Sequence, residues 1–428
     1  MLKVGLVSLG CAKNLVDSEN ILGLIKHDGY QITSSIEDSD IIIVNTCGFI
    51  DSSKKESIET IFEMLSYNKR VVVTGCLAQR YEKELKKEIP EATFIPIHDY
   101  SRFNELFRSV DQELNETGGL NDNYRVVSTG HYSAYLKIGE GCDNCCTYCA
   151  IPLIRGHFVS RPYDEIIKEA NKLADSGIKE IIVLEQDTTK YGIDLKDKHN
   201  IVSLLKGLLE IKKLNYIRLL YLYPDEISDE LIDLIAQEKR LTPYFDIPIQ
   251  HSEDRILKAM NRRGDKEFLR KLFKKIKDKV PTAILRTTVM VGFPGETEED
   301  VDNLISFIKE IEFDHLGAFT YSREEGTKSY DMDNQIDEET KKKRLDKVMH
   351  AQQSISYRKN KTHIGEIMEG LVVGQEGNNY LLRSYWNAPD DVDGKIYFTS
   401  KQELKEGEIV KVKIENAFVY DLQGIQVL

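Results

Sequence analysis

The stretch GCDNCCTYC, Gly141–Cys149, holds four of the chain's seven cysteines, and its reading decides the fold. Taken as two CxxC pairs, Cys142/Cys145 and Cys146/Cys149, it points to zinc. Taken as CxxxCxxC, Cys142/Cys146/Cys149 with Cys145 a bystander, it points to an iron–sulfur cluster with one iron left without a protein ligand. Paired zinc hooks are usually separated by roughly 15–20 residues, so that each can turn inward. Adjacent Cys145 and Cys146 aim their side chains apart. A three-cysteine zinc site completed by His157 is the remaining zinc variant.

The stretch follows an apolar run, AYLKIGE, which reads as a strand. Five further runs follow: EIIVLEQ, YIRLLYLY, YFDIPIQ, AILRTTVMVG and HLGAFTYS. Amphipathic helical patterns such as DEIIKEANKLADSG lie between most of them. Six βα units over residues 128–358 predict a partial (β/α)6 barrel, with chemistry at the C-terminal ends of its strands. Residues 1–112 alternate in the same way (KVGLVSLG, DIIIVNT, RVVVTG, each followed by a helical pattern) and predict a parallel α/β domain. The polar stretch at 113–127 reads as a linker. Residues 361–428 offer short strand-like runs with Gly and Asn-Asn turns, which predicts a small all-β barrel of five strands.

The other three cysteines, Cys11, Cys47 and Cys76, each end an apolar run. Each therefore belongs just past the carboxyl end of a parallel strand, where open α/β sheets gather their ligands. One such cysteine would read as a small buried hydrophobe. Three of three at one topological position predict a cluster in space, although 36 and 29 residues separate them in sequence.

The totals narrow the setting. The chain has 428 residues, 41 % hydrophobic and 30 % charged, with a net charge of −13. No run approaches the roughly 18 apolar residues of a membrane helix. The apolar segment before Cys11 is short and carries Lys3 and Ser8, so it reads as a first strand rather than an export signal. A cytoplasmic, reducing setting makes clustered cysteines metal ligands rather than disulfides.

CxxxCxxC after the first strand of a (β/α) barrel resembles the radical S-adenosylmethionine superfamily. The chain as a whole, with a three-cysteine domain, a radical domain and a terminal barrel of TRAM type, is similar to the methylthiotransferases. SLGCAKNLVDSE (Ser8–Glu19), EQDTTKYGID, PIQHSEDRILKAMNRRG, VGFPGETEED, TYSREEGT and RSYWNAPDDVDGKIY resemble the branch that modifies small-subunit ribosomal protein twelve. The tRNA-modifying branch more typically has GCQMN in the first place. Two departures are the extra Cys145 and the segment IPIHDYSR (Ile95–Arg102).

The resemblance implies two [4Fe–4S] clusters. One is held by Cys142, Cys146 and Cys149 and binds S-adenosyl-L-methionine. The other is an auxiliary cluster on Cys11, Cys47 and Cys76. It also implies methylthiolation of an aspartate β-carbon, an electron donor, and a place for Tyr148 beside the cofactor. Glu185, Gln186 and Asp187 close the second barrel strand and Arg286 lies on an otherwise apolar one; these are the candidate cofactor contacts. Gln250 and His251 end the fourth strand, the histidine as a structural hydrogen-bonder or as a site residue. Two alternatives stand beside this function: a tRNA methylthiotransferase, and a non-catalytic iron–sulfur sensor.

From Lys361 to Leu428 seven Lys and Arg face eleven Asp and Glu, a balance that suits a basic protein partner over nucleic acid. Asp390, Asp391 and Asp393 in APDDVDG are expected in an exposed turn that docks that partner.

Overall fold

The computed structural model describes residues 2–100, 102–103, 125–389 and 392–427. Most of the expected linker, and Asp390 and Asp391, lie outside the described residues. Val126 and Val127 are half-buried, and the Arg125 guanidinium is buried between Glu19 and Glu169 (2.8 Å).

The N-terminal domain is a five-stranded parallel sheet. Its strands are β1 (Lys3–Ser8), β2 (Gln31–Ile32), β3 (Ile41–Thr46), β4 (Arg70–Gly75) and β5 (Thr93–Phe94), in the order β2-β1-β3-β4-β5. The two-residue edge strands β2 and β5 are too short to announce themselves as apolar runs. Helices α1 (Ala12–His27), α2 (Asp51–Ser66) and α3 (Cys76–Glu88) follow β1, β3 and β4. The central strand, IIIVNT, is buried along its whole length, as a strand covered on both faces must be.

Six parallel strands form the middle domain: β6 (Ser133–Lys137), β9 (Glu180–Leu184), β10 (Tyr216–Leu219), β11 (Tyr244–Asp246), β12 (Ile284–Val291) and β13 (His315–Thr320). Between β6 and β9 lies a two-residue hairpin, β7 (Gly139–Glu140) with β8 (Val159–Ser160). The arc runs as two three-stranded sheets, β6-β9-β10 and β11-β12-β13, joined at the bridge Ile217–Leu241. On β12 the burial alternates: Leu285, Thr287, Val289 and Val291 are buried, while Arg286, Thr288 and Met290 are half-buried. Arg286 and Thr288 open on the cavity described below.

A long helix, Glu338–Thr362, leads to a closed five-stranded barrel. Its strands are β14 (Ile367–Glu376), β15 (Asn379–Arg383), β16 (Ile396–Thr399), β17 (Ile409–Ala417) and β18 (Leu422–Val427), in the order β14-β15-β16-β18-β17. Among the described residues no helix is long and apolar enough to cross a membrane.

The interior of the half-barrel is filled by its neighbours. Tyr135, Ile182, Leu184, Leu220, Tyr244 and Ile284 share one core with Ala12 and Val16 of α1 and with Trp386 and Ala388 of the small barrel. Trp386 is 1 % exposed, and its carbonyl accepts from His315 Nε2 at 2.7 Å.

This insertion overturns the exposed-turn reading of Asp393. Its carboxylate is buried, accepting from the Tyr244 hydroxyl (2.6 Å) and the Ala388 N–H (2.8 Å), with Arg286 Nε at 3.5 Å. Of the described residues in this stretch, Trp386 and Ala388 enter the half-barrel core, while Val392 stays exposed. Burial pushes the Asp393 carboxyl up, and His315 and Arg286 outweigh it, leaving the group below the usual aspartate range. The stability this contributes is present above the unfolded pKa, near 4, and is lost as the pH falls below it. Asp393→Ala should cost roughly 1–3 kcal/mol by leaving the Tyr244 hydroxyl and the Ala388 N–H without their acceptor. Thermal unfolding of the full chain would register this as a lower midpoint. An unchanged profile would mean that these contacts carry no weight.

Candidate active site

The three strand-to-helix turns of the N-terminal sheet pack directly on one another. Gly10 takes φ +91°, and a Cβ there would come within 2.9 Å of the Cys47 Cβ. Gly75 takes φ +90°, and a Cβ there would strike the Thr46 carbonyl oxygen at 2.4 Å. Only glycine allows both the dihedral and the approach. Asn14, one turn into α1, ties the three turns together. Its Nδ2 donates to the carbonyls of Leu9 and Thr46, each at 3.0 Å, and its Oδ1 accepts from the Cys76 thiol at 3.4 Å.

The second group of cysteines is shaped by the hairpin and the short helix Ile151–Arg155. Cys142 N–H donates to the Gly156 carbonyl (3.1 Å), and Cys149 N–H to the Cys146 carbonyl (3.0 Å). Cys145 is exposed and takes a left-handed φ of +51°, held by Asn261 Nδ2 on its carbonyl (3.0 Å). That turn carries its side chain away from the other three.

Six thiols line one cavity of 430 Å³: Cys11, Cys47, Cys76, Cys142, Cys146 and Cys149. Tyr148, Gln186, Gln250 and Arg286 line it too, and Phe49, Phe319, Pro389 and Val392 bring one wall from each domain. Glu185 and Asp187 do not line it. They are buried alongside: the Glu185 carboxylate accepts the Asp187 N–H (2.7 Å), and Asp187 accepts from Asn144 (2.7 Å). Burial pushes Glu185 up to about 8. His251 is fully buried, 3.4 Å from Glu296 and accepting the Glu253 N–H, and is a structural hydrogen-bonder. His157 is turned to solvent against Asp143.

Arg155 joins the two thiol groups. Its guanidinium donates to both Glu140 oxygens (3.0 and 2.9 Å), to Asp17 (3.0 Å), to Asn14 Oδ1 (2.6 Å) and to Cys76 Sγ (3.7 Å). Burial raises the Cys76 thiol to about 11 against the pull of Arg155, and raises Cys142 to about 12. Cys11 differs: burial pushes it up, but Lys13 and Arg155 outweigh burial and lower it. On the other side Arg262 stacks on Tyr223 at 4.0 Å and points Nη1 at Cys146 Sγ (3.9 Å).

Among the described residues no three His, Cys, Asp or Glu side chains are set to chelate a lone ion. What the cavity offers is soft thiol donors in two sets of three, a donor set that suits iron–sulfur chemistry.

Three families match the chain in register with its three bodies: Uncharacterized protein family UPF0004 at residues 3–96, the Radical SAM superfamily at 136–308 and the TRAM domain at 364–427. The ribosomal protein uS12 methylthiotransferase RimO of Clostridioides difficile is 46 % identical, over 99 % of this chain and 98 % of the relative. That of Pelotomaculum thermopropionicum is 47 % identical over the full length of both. The chain belongs to the ribosomal protein uS12 methylthiotransferase family. It is a radical S-adenosylmethionine methylthiotransferase.

Its fold is also similar to that of the radical S-adenosylmethionine methyltransferase TsrM from Kitasatospora setae (TM-score 0.56, 14 % identity, 74 % of this chain and 72 % of that one). Within this methylthiotransferase, sequence reasoning missed Lys13, Asn14 and Arg155. Asn14 and Lys13 carried one signal: polar residues two and three places after Cys11, at the start of a helix. Arg155 carried none, because three of its four partners, Asp17, Asn14 and Cys76, come from a different domain.

Proposed function

We propose that this chain methylthiolates the β-carbon of an aspartate in ribosomal protein uS12. It does so with one [4Fe–4S] cluster on Cys142, Cys146 and Cys149, which also takes S-adenosyl-L-methionine, and a second on Cys11, Cys47 and Cys76. The observation that carries the reading is the single cavity that both thiol triads line. When bound, the groups would supply one-electron reduction of S-adenosyl-L-methionine at the first triad and a sulfur to transfer at the second. The protein's part is to keep both events on one carbon and to exclude water. Phe49, Phe319, Leu220 and Leu222 make the walls apolar, and Tyr148 and Gln186 remain between them as cofactor contacts. Arg286 is spoken for by Asp246 (2.6 Å) and Asp393, so its part is to fix the cavity wall.

An external electron donor and a cytoplasmic setting go with this reading. The tRNA alternative needs a basic docking surface, and the small barrel is acidic, with seven basic against eleven acidic residues. Deleting the chain from its host should remove a methylthio group from uS12, seen by intact mass, and leave the tRNA nucleosides unchanged. Loss of a methylthiolated nucleoside with intact uS12 would move the chain to the tRNA branch. No loss from either would sink both.

A further inference from the structure

Four cationic side chains line the cavity: Lys13, Arg155, Arg262 and Arg286. Three are engaged. Arg155 is held by Glu140 and Asp17, Arg286 by Asp246 and Asp393, and Arg262 by the Pro248 carbonyl and the Tyr223 ring. Lys13 is not. It is 6 % exposed, and among the described residues no hydrogen bond or ion pair is formed by its ammonium, on which Cys11 and Glu185 act only through space. It stands 3.6 Å above the Tyr221 ring. Tyr221 holds that ring in place from a left-handed backbone (φ +60°), with its N–H on Asp246 Oδ2 at 2.9 Å. A non-glycine residue adopts that conformation only when its surroundings impose it.

A buried ammonium without a hydrogen-bonded acceptor is costly, and a ring face offsets only part of the missing hydration. The cavity therefore has a place for an anionic group beside Lys13. Two of the sulfurs have guanidinium donors of their own, Arg155 on Cys76 and Arg262 on Cys146, and Lys13 acts on Cys11 through space, without a hydrogen bond. Lys13 lies two residues past Cys11, on the side of the auxiliary triad, whereas S-adenosylmethionine would be held at the other triad under the function proposed above. We propose that Lys13 binds the carboxylate of the substrate's target side chain, and so selects an acidic side chain over its neutral isostere. This rests on the function proposed above and names the residue that reads the substrate.

The test uses the anaerobically reconstituted full chain with two forms of uS12, one carrying the target aspartate located by tandem mass spectrometry and one with asparagine in its place. A site built around a charged group rejects the neutral analogue strongly, so the parent should prefer aspartate by about 100-fold in kcat/KM. Lys13→Met should lower kcat/KM on the aspartate form by a similar factor, weaken binding of uS12, and bring the two forms within a few-fold of each other. Lys13→Arg should regain part of the preference. Iron per chain should equal the parent's in both variants. A Lys13→Met chain that keeps the full preference overturns the proposal. So does one that loses half its iron, because the ammonium would then be serving the auxiliary cluster. A parent that leaves uS12 unmodified overturns the function itself, which is a separate result.

Discussion

Replacing Cys142, Cys146 and Cys149 together by Ala is expected to remove about half the iron and abolish all cleavage of S-adenosylmethionine. The reconstituted parent should hold about eight iron atoms, as two four-iron clusters require. Replacing Cys11, Cys47 and Cys76 should also remove about half, but 5′-deoxyadenosine should still form, without methylthio transfer. The reason lies in how the triads are built. The first is shaped by the hairpin and the helix Ile151–Arg155, the second by three turns of a different sheet knitted by Asn14. Neither triad needs the other's backbone to form. Cys145→Ala, whose side chain lies on the solvent side of its turn, should keep the parent's iron and activity. Iron assay and 5′-deoxyadenosine chromatography decide the matter. If the second variant makes no 5′-deoxyadenosine, the division of labour is wrong. If Cys145→Ala loses a cluster, the paired CxxC reading returns.

Arg155→Met is expected to destabilise the chain by roughly 3–5 kcal/mol, the range for removing one partner from a buried ion pair. Asp17 and Arg155 are both buried, and Lys137 completes the group by pairing with Asp17 and, at 3.0 Å, with Glu140. Burial pushes Glu140 up, yet Arg155 and Lys137 overcome it and hold the carboxyl at about 2, against 4.5 in its ordinary state. The sign follows from that. The stability contributed by Glu140 is fully present above pH 4.5 and drains away as the pH falls toward 2. In the Arg155→Met chain two carboxylates would share Lys137 alone, so its unfolding midpoint should be lower at pH 7 and the gap to the parent should narrow on acidification. Thermal scans at pH 7 and near pH 4 would measure both. A gap that widens in acid would mean that the network is not held by charge. Arg155→Lys should not restore the parent, because an ammonium cannot reach Glu140, Asp17 and Asn14 at once in the planar fork a guanidinium provides.

Much of the architecture is local and was legible in the sequence. Apolar runs of four to eight residues with helical patterns between them fix strand and helix alternation, and alternation of that kind fixes a parallel sheet. KVGLVS, IIIVNT and RVVVTG each end at or just before a cysteine, so the meeting of Cys11, Cys47 and Cys76 at one sheet edge follows from topology. CxxxCxxC after AYLKIGE is equally local. The fifth strand of the small barrel, Leu422–Val427, was counted in the fold but had no apolar run of its own. It alternates instead, with Leu422 and Gly424 buried and the residues between and after them half-covered.

What tertiary structure alone decided is how the three bodies meet. APDDVDG has the composition of a solvated turn, and nothing within it says that Asp393 will be sealed against Tyr244 and Arg286. That outcome depends on Trp386 finding an apolar interior built by strands more than 60 residues away. The same holds for Lys13, Asn14 and Arg155. Each is a polar residue whose cost of burial is met, or in the case of Lys13 left unmet, by groups from another element. Residue type and spacing specify which thiols gather. The pairing of buried charges across domains determines which cations are spent on structure and which one is left facing the cavity.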